Sequence, residues 1–554
     1  MVTTSVRKGY LLRLVGRKLN EQQLEEALHQ IKAPIDSVEG DELNIEVTGD
    51  RPDLLSAEGI ARALKGYLGI EKGIPPERFE RGKFVLHADK SVKNVREFIV
   101  AAVVEGAALA DDDLKDLIQI QEKLTLTHGR KRKKVAIGLH NMEPLVWPFY
   151  YKAVEPESVS FVPLGKSEKM NLRQIVEKHE KGIDYSCCLD GLSKYPVIFD
   201  SRNQVLSFPP IINGILTELG TGTKSIFIDI TGTDFHACNT ALNILCQDFA
   251  DRGAKVCAVE IKYPEKTVIT PETAPEKMDL DVEYANKLLG TSLPAEKIIS
   301  ALGKQRISAK IKNAAVIECH IPRYRADFMH QVDLIEDVAL GYGYNNFEPK
   351  APSVFTKGAV SQRTKFIDLI SDLMIGAGFV QINTPILTNQ KLADKTNGEE
   401  KLIKIKNPIS EEYENTRYSL LPQLIETLSK NTHNTYPQKL FEIGYTAKAD
   451  PESDTSTRND LHLAAIFADT GANLAELSGT LLELLRHLRV EYNLSKSRLK
   501  TYIPGRQAVI FAKMGNDAHE IARIGGIHPA VLDNFKLEMP AVGMEIDLEK
   551  VISK

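Results

Sequence analysis

Residues 321–344 read Ile321-Pro-Arg-Tyr-Arg325-Ala-Asp327-Phe-Met-His-Gln-Val-Asp333-Leu-Ile-Glu336-Asp337-Val-Ala-Leu-Gly-Tyr-Gly-Tyr344. At about 100° per residue, Asp333, Glu336 and Asp337 fall on one face of a helix. Val332, Ile335, Val338, Ala339 and Tyr342 fall on the opposite face, so the helix is expected to bury that side and present its carboxylates on the other. Asp327 precedes the helix and can fold back over it. Four carboxylates held close together repel one another unless a cation neutralises them. All-oxygen ligands suit a hard ion such as Mg²⁺ or Ca²⁺, although Mg²⁺ normally keeps several waters and seldom sits in an all-protein cage. The plainer alternative is a solvated acidic face paired with Arg323 and Arg325.

Outward from this stretch, the chain divides at proline-rich connections. Pro264, Pro271 and Pro275 precede the block that holds the acidic helix, and Pro349 and Pro352 follow it. The block itself predicts two helical stretches around a short strand at 315–321. At the N-terminus, residues 10–15 read as a strand. Asn20 with Gln23 three residues later reads as a capping box. Leu24, Ala27, Leu28 and Ile31 then follow at i, i+3, i+4 and i+7, one helix face. Residues 43–47 alternate like a strand. Ser56 opens a second amphipathic helix through Ile60, Leu64 and Leu68, and 70–79 reads as a linker. Between about 83 and 262, short β-branched runs at 98–104, 135–139, 197–199, 225–230 and 255–261 alternate with helical patterns, an α+β mixture. The last block opens with a helix over 361–376 and continues in strand-like runs.

The bulk numbers fit a soluble chain of several domains. At roughly 150 residues per domain, 554 residues suggest three or four. A 43% apolar and 26% charged composition is ordinary. A net charge of −5 excludes nucleic-acid binding by overall charge, so RNA contact requires local patches or a partner chain. Arg130-Lys-Arg-Lys-Lys134 is the strongest basic run, either near nucleic-acid phosphates or a solvated strand entry. The six cysteines form no CxxC pair, which reads as reduced cytosolic thiols. His128, His236, Cys187, Cys188 and Cys238 therefore do not read as a zinc site. The first residues carry no apolar signal region, and 98–104 is too short to span a bilayer. The chain is expected to be cytoplasmic, away from membranes.

Four motif groups, taken in order, resemble the β-subunits of archaeal/eukaryotic-type phenylalanine–tRNA ligases. Glu46-Val-Thr-Gly-Asp-Arg-Pro-Asp-Leu-Leu-Ser56 is similar to that family's N-terminal domain. Val205-Leu-Ser-Phe-Pro-Pro-Ile-Ile-Asn213 and Phe227-Ile-Asp-Ile-Thr-Gly232 are similar to its editing domain. The 321–344 stretch is similar to its metal-bearing small domain. Asn407-Pro-Ile-Ser410, Arg417-Tyr-Ser-Leu-Leu-Pro422, Leu440-Phe-Glu-Ile-Gly444 and Ile524-Gly-Gly-Ile-His-Pro529 are similar to its synthetase-like domain. The resemblance implies an α+β, multidomain chain. It would have two small α/β-type modules (1–75 and 276–346), an α+β editing domain (83–263) and an antiparallel class II synthetase-like domain flanked by helices (358–554). With Lys554 shortly after the last strand-like run, there is room neither for an inserted oligonucleotide-binding domain nor for a terminal anticodon-binding domain, as bacterial forms have.

The same resemblance implies site residues and partners. Asp327, Asp333, Glu336 and Asp337 would hold Mg²⁺ near the contact with the α-subunit; Glu336-Asp337 replaces the commoner Glu-Glu pair with a shorter second ligand. Ser207, Asp229 and Thr231 would form the site that removes wrongly attached tyrosine from the tRNA 3′ end, with Ile198 lining the pocket and Asn213 and His140 as further candidates. On bare chemistry, Asp229 can accept the tyrosine hydroxyl proton or orient water, and Ser207 and Thr231 can donate to an ester or ribose oxygen. The partners implied are an α-subunit in an (αβ)₂ tetramer, tRNA(Phe), and ATP and L-phenylalanine through the complex. A tRNA-binding scaffold without hydrolysis is the alternative.

The last block is not expected to make the aminoacyl bond. Class II ligases bring arginines to the α- and γ-phosphates of ATP, because charge builds there in the transition state. Lys439-Leu-Phe-Glu-Ile-Gly444 carries no such arginine, and Gly543-Met-Glu-Ile-Asp547 is no Gly-x-Gly-x-x-Arg. Arg417 and Arg506 read as structurally paired. His433, His462, His487 and His528 have no Ser or Cys nucleophile setting beside them and read as ordinary histidines.

Overall fold

A computed structural model describes residues 2–76, 79–352, 354, 356–398, 402–514 and 517–552. It comprises two compact units, residues 1–351 and 352–554. The expected 70–79 linker includes residues 77 and 78, and Lys554 closes the sequence; these lie outside the described residues.

Among the described residues, the first unit contains three sheets of three or more strands, beside the two-stranded pair Ser160–Phe161 with Met170–Asn171. The first has Glu42–Val47 between Val2–Arg7 and Ile35–Glu39, all antiparallel. The Asn20 side chain accepts from Gln23 N–H at 2.8 Å while Gln23 accepts from Asn20 N–H at 3.1 Å, the expected capping box of Glu21–Gln30. Ser56 caps Ala57–Tyr67 by accepting from Gly59 N–H at 3.0 Å. Residues 10–15 are not a strand: they lie in the helix Lys8–Val15, which buries Leu11 and Val15 one turn apart and ends on Gly16 at φ 74°. A six-residue apolar run carries too little period to separate the two, and the left-handed glycine after it is the stop signal.

The second sheet has ten strands. Ser225–Gly232 runs antiparallel between Phe98–Glu105 and Val135–Asn141 and is buried almost throughout. Its even-numbered side chains, Ile226, Ile228 and Ile230, join the core beneath the helices Asp111–Leu126 and Phe235–Asp251. Phe227, Asp229 and Thr231 therefore share the other face. There Phe227 packs edge-on to Phe149 at 4.8 Å in a cluster with Tyr151, Ile198 and Leu206.

The third sheet places Val316–Ile321 between Glu276–Asp281 and Ser308–Ile311, against helices Val282–Leu289, Ala295–Lys304 and Gln331–Tyr342. One more helix and two more strands are present than the sequence pattern predicted. This sheet is keyed to the first. A Cβ on Gly66 would lie 2.3 Å from the Lys304 carbonyl oxygen. Gly73 N–H donates to Gly303 O at 2.8 Å, and Arg306 reaches Glu71 at 3.1 Å.

The second unit is built on a seven-stranded sheet, antiparallel except for the edge pair Val380–Gln381 with Gln438–Ala449. Gln362–Gly376, capped by Ser361, and Leu474–His487 cover one face, and Leu421–Lys430 and Pro529–Asn534 the other. The whole chain is thus a mixed α+β multidomain protein. No helix among the described residues is long and apolar enough to cross a membrane.

Candidate functional site

Ser207, Asp229 and Thr231 line one cleft of about 280 Å³. Asp229 sits mid-strand, directly opposite Gly138, and its carboxylate lies across the space where a side chain would be. A Cβ on Gly138 would come within 2.0 Å of Asp229 Oδ2 and 2.7 Å of His140 Nε2. His140, two residues further on the same face, places Nε2 2.6 Å from Asp229 Oδ2 and Nδ1 2.7 Å from Thr217 Oγ1. One ring nitrogen thus faces the carboxylate and the other the Thr217 hydroxyl. Both members of this pair are fully buried, so neither is held by bulk water.

Thr231 accepts at its hydroxyl from Arg96 Nε (2.9 Å) and at its carbonyl from Arg96 Nη2 (2.7 Å). Burial pulls the Arg96 guanidinium below its ordinary value, yet it remains the cation that fixes the end of this strand. Ser207 Oγ donates to Asn213 Oδ1 at 3.0 Å, and Asn213 Nδ2 donates to Leu139 O at 3.2 Å. Of the two lesser candidates, His140 bonds Asp229 directly and Asn213 orients Ser207. Ile198 does not line the cleft; it is fully buried in the cluster with Phe149 and Phe227. Arg96 was not singled out from sequence. Its partners are the Thr231 hydroxyl and carbonyls far along the chain, which leave no local pattern.

The basic run divides in two. Arg130, Lys131 and Arg132 are all left-handed, at φ 49°, 53° and 66°. Arg132 stacks on Tyr185 at 4.1 Å and donates to Pro210 O (3.0 Å) and Ile211 O (2.8 Å), bracing one wall of the cleft. Lys134 pairs with Asp234 at 3.2 Å. Arg130, Lys131 and Lys133 are exposed.

The acidic stretch is arranged differently from the expectation. Asp337 is buried with Leu334, Ile335 and Val338, whereas Val332, expected inside, is exposed. The reason is Arg325. Its guanidinium grips Asp327 through two bonds of 2.8 and 2.7 Å and Asp337 at 2.9 Å, and lies 4.6 Å over Phe328. Burial pushes Asp337 up to about 6 against the pull of Arg325. Asp327 feels the same upward push of burial, but Arg325 and then Arg51 hold it below the usual carboxylate range. Asp333 accepts from Met329 N–H (2.7 Å) and His330 N–H (2.8 Å), closing a capping box. Glu336 pairs with Lys32.

A resident divalent ion needs oxygens converging about 2.1–2.5 Å from one point. Asp327, Asp333, Glu336 and Asp337 do not converge as they stand. Each is already satisfied by an arginine, a lysine or backbone N–H groups, so the residues do not fit a bound Mg²⁺ in this arrangement. The charge that Mg²⁺ would neutralise is met by Arg325.

In the second unit, Arg417 is structurally paired, as its sequence setting suggested. It meets Glu442 at 2.7 Å and also donates to Thr384 Oγ1, Gln423 Oε1 and Tyr445 O. A Cβ on Gly444 would lie 2.3 Å from its Nη2. Arg506 is exposed. The sequence did not reveal a polar cavity of about 380 Å³ bordered by His462, Glu545, Asp547, Arg498, Lys500 and Arg523.

The comparisons with known proteins agree with this architecture. Residues 278–344 match the tRNA synthetase B5 domain, and residues 348–548 match the "Phenylalanyl tRNA synthetase beta chain CLM domain". On a multidomain α+β chain, these two matches define a subunit of an aminoacyl-tRNA synthetase. The β-subunit of phenylalanine–tRNA ligase from Pyrococcus furiosus is 39% identical over 552 residues, covering 98% of each chain. That from Archaeoglobus fulgidus is 38% identical, covering 97% of this chain and 96% of its own. A solved N-terminal fragment of the Pyrococcus horikoshii β-subunit is 37% identical at a TM-score of 0.60, spanning 62% of this chain and all of its own. The chain belongs to the family of phenylalanine–tRNA ligase β-subunits, ligases of the aminoacyl-tRNA synthetase class that act as part of a complex.

Proposed function

We propose that this chain is the editing and scaffolding partner of a catalytic α-subunit, in a cytoplasmic (αβ)₂ complex that charges tRNA(Phe) with L-phenylalanine. The observation that carries the reading is the convergence of Ser207, Asp229 and Thr231 on one cleft, with His140 bonded to Asp229 from its buried side. Phenylalanine and tyrosine differ by one hydroxyl, and an apolar pocket rejects such an isostere only about 10²-fold, so a second, hydrolytic site is useful. In that cleft Asp229 accepts the phenolic proton or orients the attacking water, His140 holds the carboxylate in place, and Ser207 donates to an ester or ribose oxygen. Thr231, already committed to Arg96, shapes the wall.

The division into 1–75, 83–263, 276–346 and 358–554 belongs to the same reading. So does the absence of ATP chemistry in the last segment, where Arg417 is committed to Glu442. ATP, its Mg²⁺ and phenylalanine then belong to the α-subunit's catalytic centre. The helix Gln362–Gly376 leaves Leu369 and Ile375 exposed, an apolar surface suited to packing on α-subunit helices.

Co-purification with an α-subunit, followed by charging with phenylalanine and tyrosine, tests the whole reading. The chain alone is expected to show no phenylalanine-dependent pyrophosphate exchange, while the complex shows it. Gly138→Ala is expected to displace the Asp229 carboxylate. Since misplacement by about 1 Å costs on the order of 10²-fold, tyrosyl-tRNA hydrolysis should fall by that factor while phenylalanine charging persists. Hydrolysis at the parental rate in Gly138→Ala would put the hydrolytic site elsewhere, and no tyrosyl-tRNA hydrolysis by the parental complex would favour a scaffold without editing.

A further inference from the structure

Asp460, His462 and Asp547 lie on one face of two adjacent antiparallel strands in the second unit. Asp460 and His462 are two residues apart on Thr457–Ala468, and Asp547 is the cross-strand partner of His462. One ligand atom from each falls within 4.8 Å of the other two, the only such group of three found among the described residues. His462 Nδ1 is 2.7 Å from Glu545 Oε1. Glu545 is itself anchored by the Ser419 hydroxyl and by Leu420 N–H at 3.1 Å.

The other imidazole nitrogen is the telling feature. His462 Nε2 is buried and has no hydrogen-bond partner, although it lies 4.0 Å from Asp547 Oδ2. With Nδ1 engaged by Glu545, Nε2 is the nitrogen that faces the Asp547 carboxylate. Three electron-pair donors aimed at one another repel unless a cation lies between them. A carboxylate behind a histidine whose free nitrogen faces further oxygens is the usual outer support of a metal-ligating imidazole.

We propose that Asp460, His462 and Asp547 bind a divalent first-row transition cation of the zinc class, with Glu545 as the positioning residue for His462. Imidazole with two carboxylates favours such ions over Mg²⁺, which takes oxygen ligands. Ligand atoms around one such ion stand roughly 3–3.5 Å apart, so the three side chains draw in by about an ångström on loading. The carboxylates are now balanced by Lys448 and Arg458 on Asp460 (3.3 and 2.8 Å) and by Lys550 on Asp547 (3.4 Å). Those three cations sit on side chains 35–57% exposed and can swing to water. His462 and Asp547 border the 380 Å³ cavity, which gives the ion an entry path and leaves a position for water or a small anion.

The test is Co²⁺ titration of the full-length, chelator-stripped chain, followed by visible absorption and competition with Zn²⁺. One equivalent with ligand-field bands but no thiolate charge-transfer band is expected. His462→Ala and Asp547→Asn should weaken binding by at least about 10²-fold, and Glu545→Gln by about 10–100-fold, the usual effect of losing an outer partner. No bound equivalent, a thiolate band, or undiminished binding in His462→Ala overturns the proposal. Should those variants fail to fold, anomalous scattering from Co²⁺-soaked crystals of the parental chain decides: a peak among the three side chains supports it, and none rejects it.

Discussion

Asp229→Ala is expected to slow hydrolysis of tyrosyl-tRNA(Phe) by about 10²–10⁴-fold, the usual contribution of a positioned acid or base. Phenylalanine charging by the complex should stay within about twofold, given that the aminoacyl bond is made elsewhere. The substitution removes the group that His140 holds at 2.6 Å and leaves the strand pairing on both sides of residue 229 in place. Asp229→Asn separates two roles for this carboxylate. An amide still orients a water by hydrogen bonding but cannot take up a proton. Loss in both variants assigns proton transfer; loss in the alanine variant alone assigns orientation. The measurement is single-turnover deacylation of pre-formed tyrosyl-tRNA. An unchanged rate in Asp229→Ala would remove the carboxylate from the reaction altogether.

Arg325→Ala carries the largest expected effect on stability. The guanidinium is 2% exposed and serves Asp327 and Asp337, themselves at 14% and 5%. Removing one partner of a buried ion pair leaves an uncompensated charge and costs about 3–5 kcal/mol. The urea midpoint of the transition that unfolds residues 1–351 should fall accordingly. A variant that also carries Asp327→Asn and Asp337→Asn should regain much of the loss, because no naked carboxylate remains. Magnesium gives a second readout. The parental midpoint should not respond to added Mg²⁺, whereas in Arg325→Ala the released carboxylates become available and Mg²⁺ should raise the midpoint. A Mg²⁺ response in the parental chain would mean that Arg325 yields its place to the ion.

The sequence spoke most clearly where one local interaction settles the structure. Asn20 with Gln23, and Ser56 before its helix, are i to i+3 bonds, and both form as read. The buried strands at 98–104 and 225–230 were legible as β-branched runs. Residues 10–15 were misread because a short apolar run fits a strand and a helix equally. The face of the acidic helix was misread for another reason. Helical period assigns Asp337 to water, but Arg325, twelve residues earlier, draws it inward, and no periodicity encodes a partner outside the helix. At the cleft, Ser207, Asp229 and Thr231 were recognisable only through the resemblance of their motifs. His140 entered as a lesser candidate because its tie to Asp229 is a cross-strand register, which single-chain patterns do not reveal. His462 looked ordinary for the same reason: its partners Glu545 and Asp547 belong to a strand far along the chain.

The contact of Gly66 with the Lys304 carbonyl has a practical corollary for anyone cutting or recombining this protein. Residues 276–346 look like a transferable cassette, yet their helix Ala295–Lys304 sits against a backbone that tolerates no side chain at position 66, and Lys32 meets Glu336 across the same seam. A transplant that carried this segment alone would leave both surfaces without their counterpart. Chimeras between relatives should therefore exchange residues 1–351 in one piece, with the splice near 352.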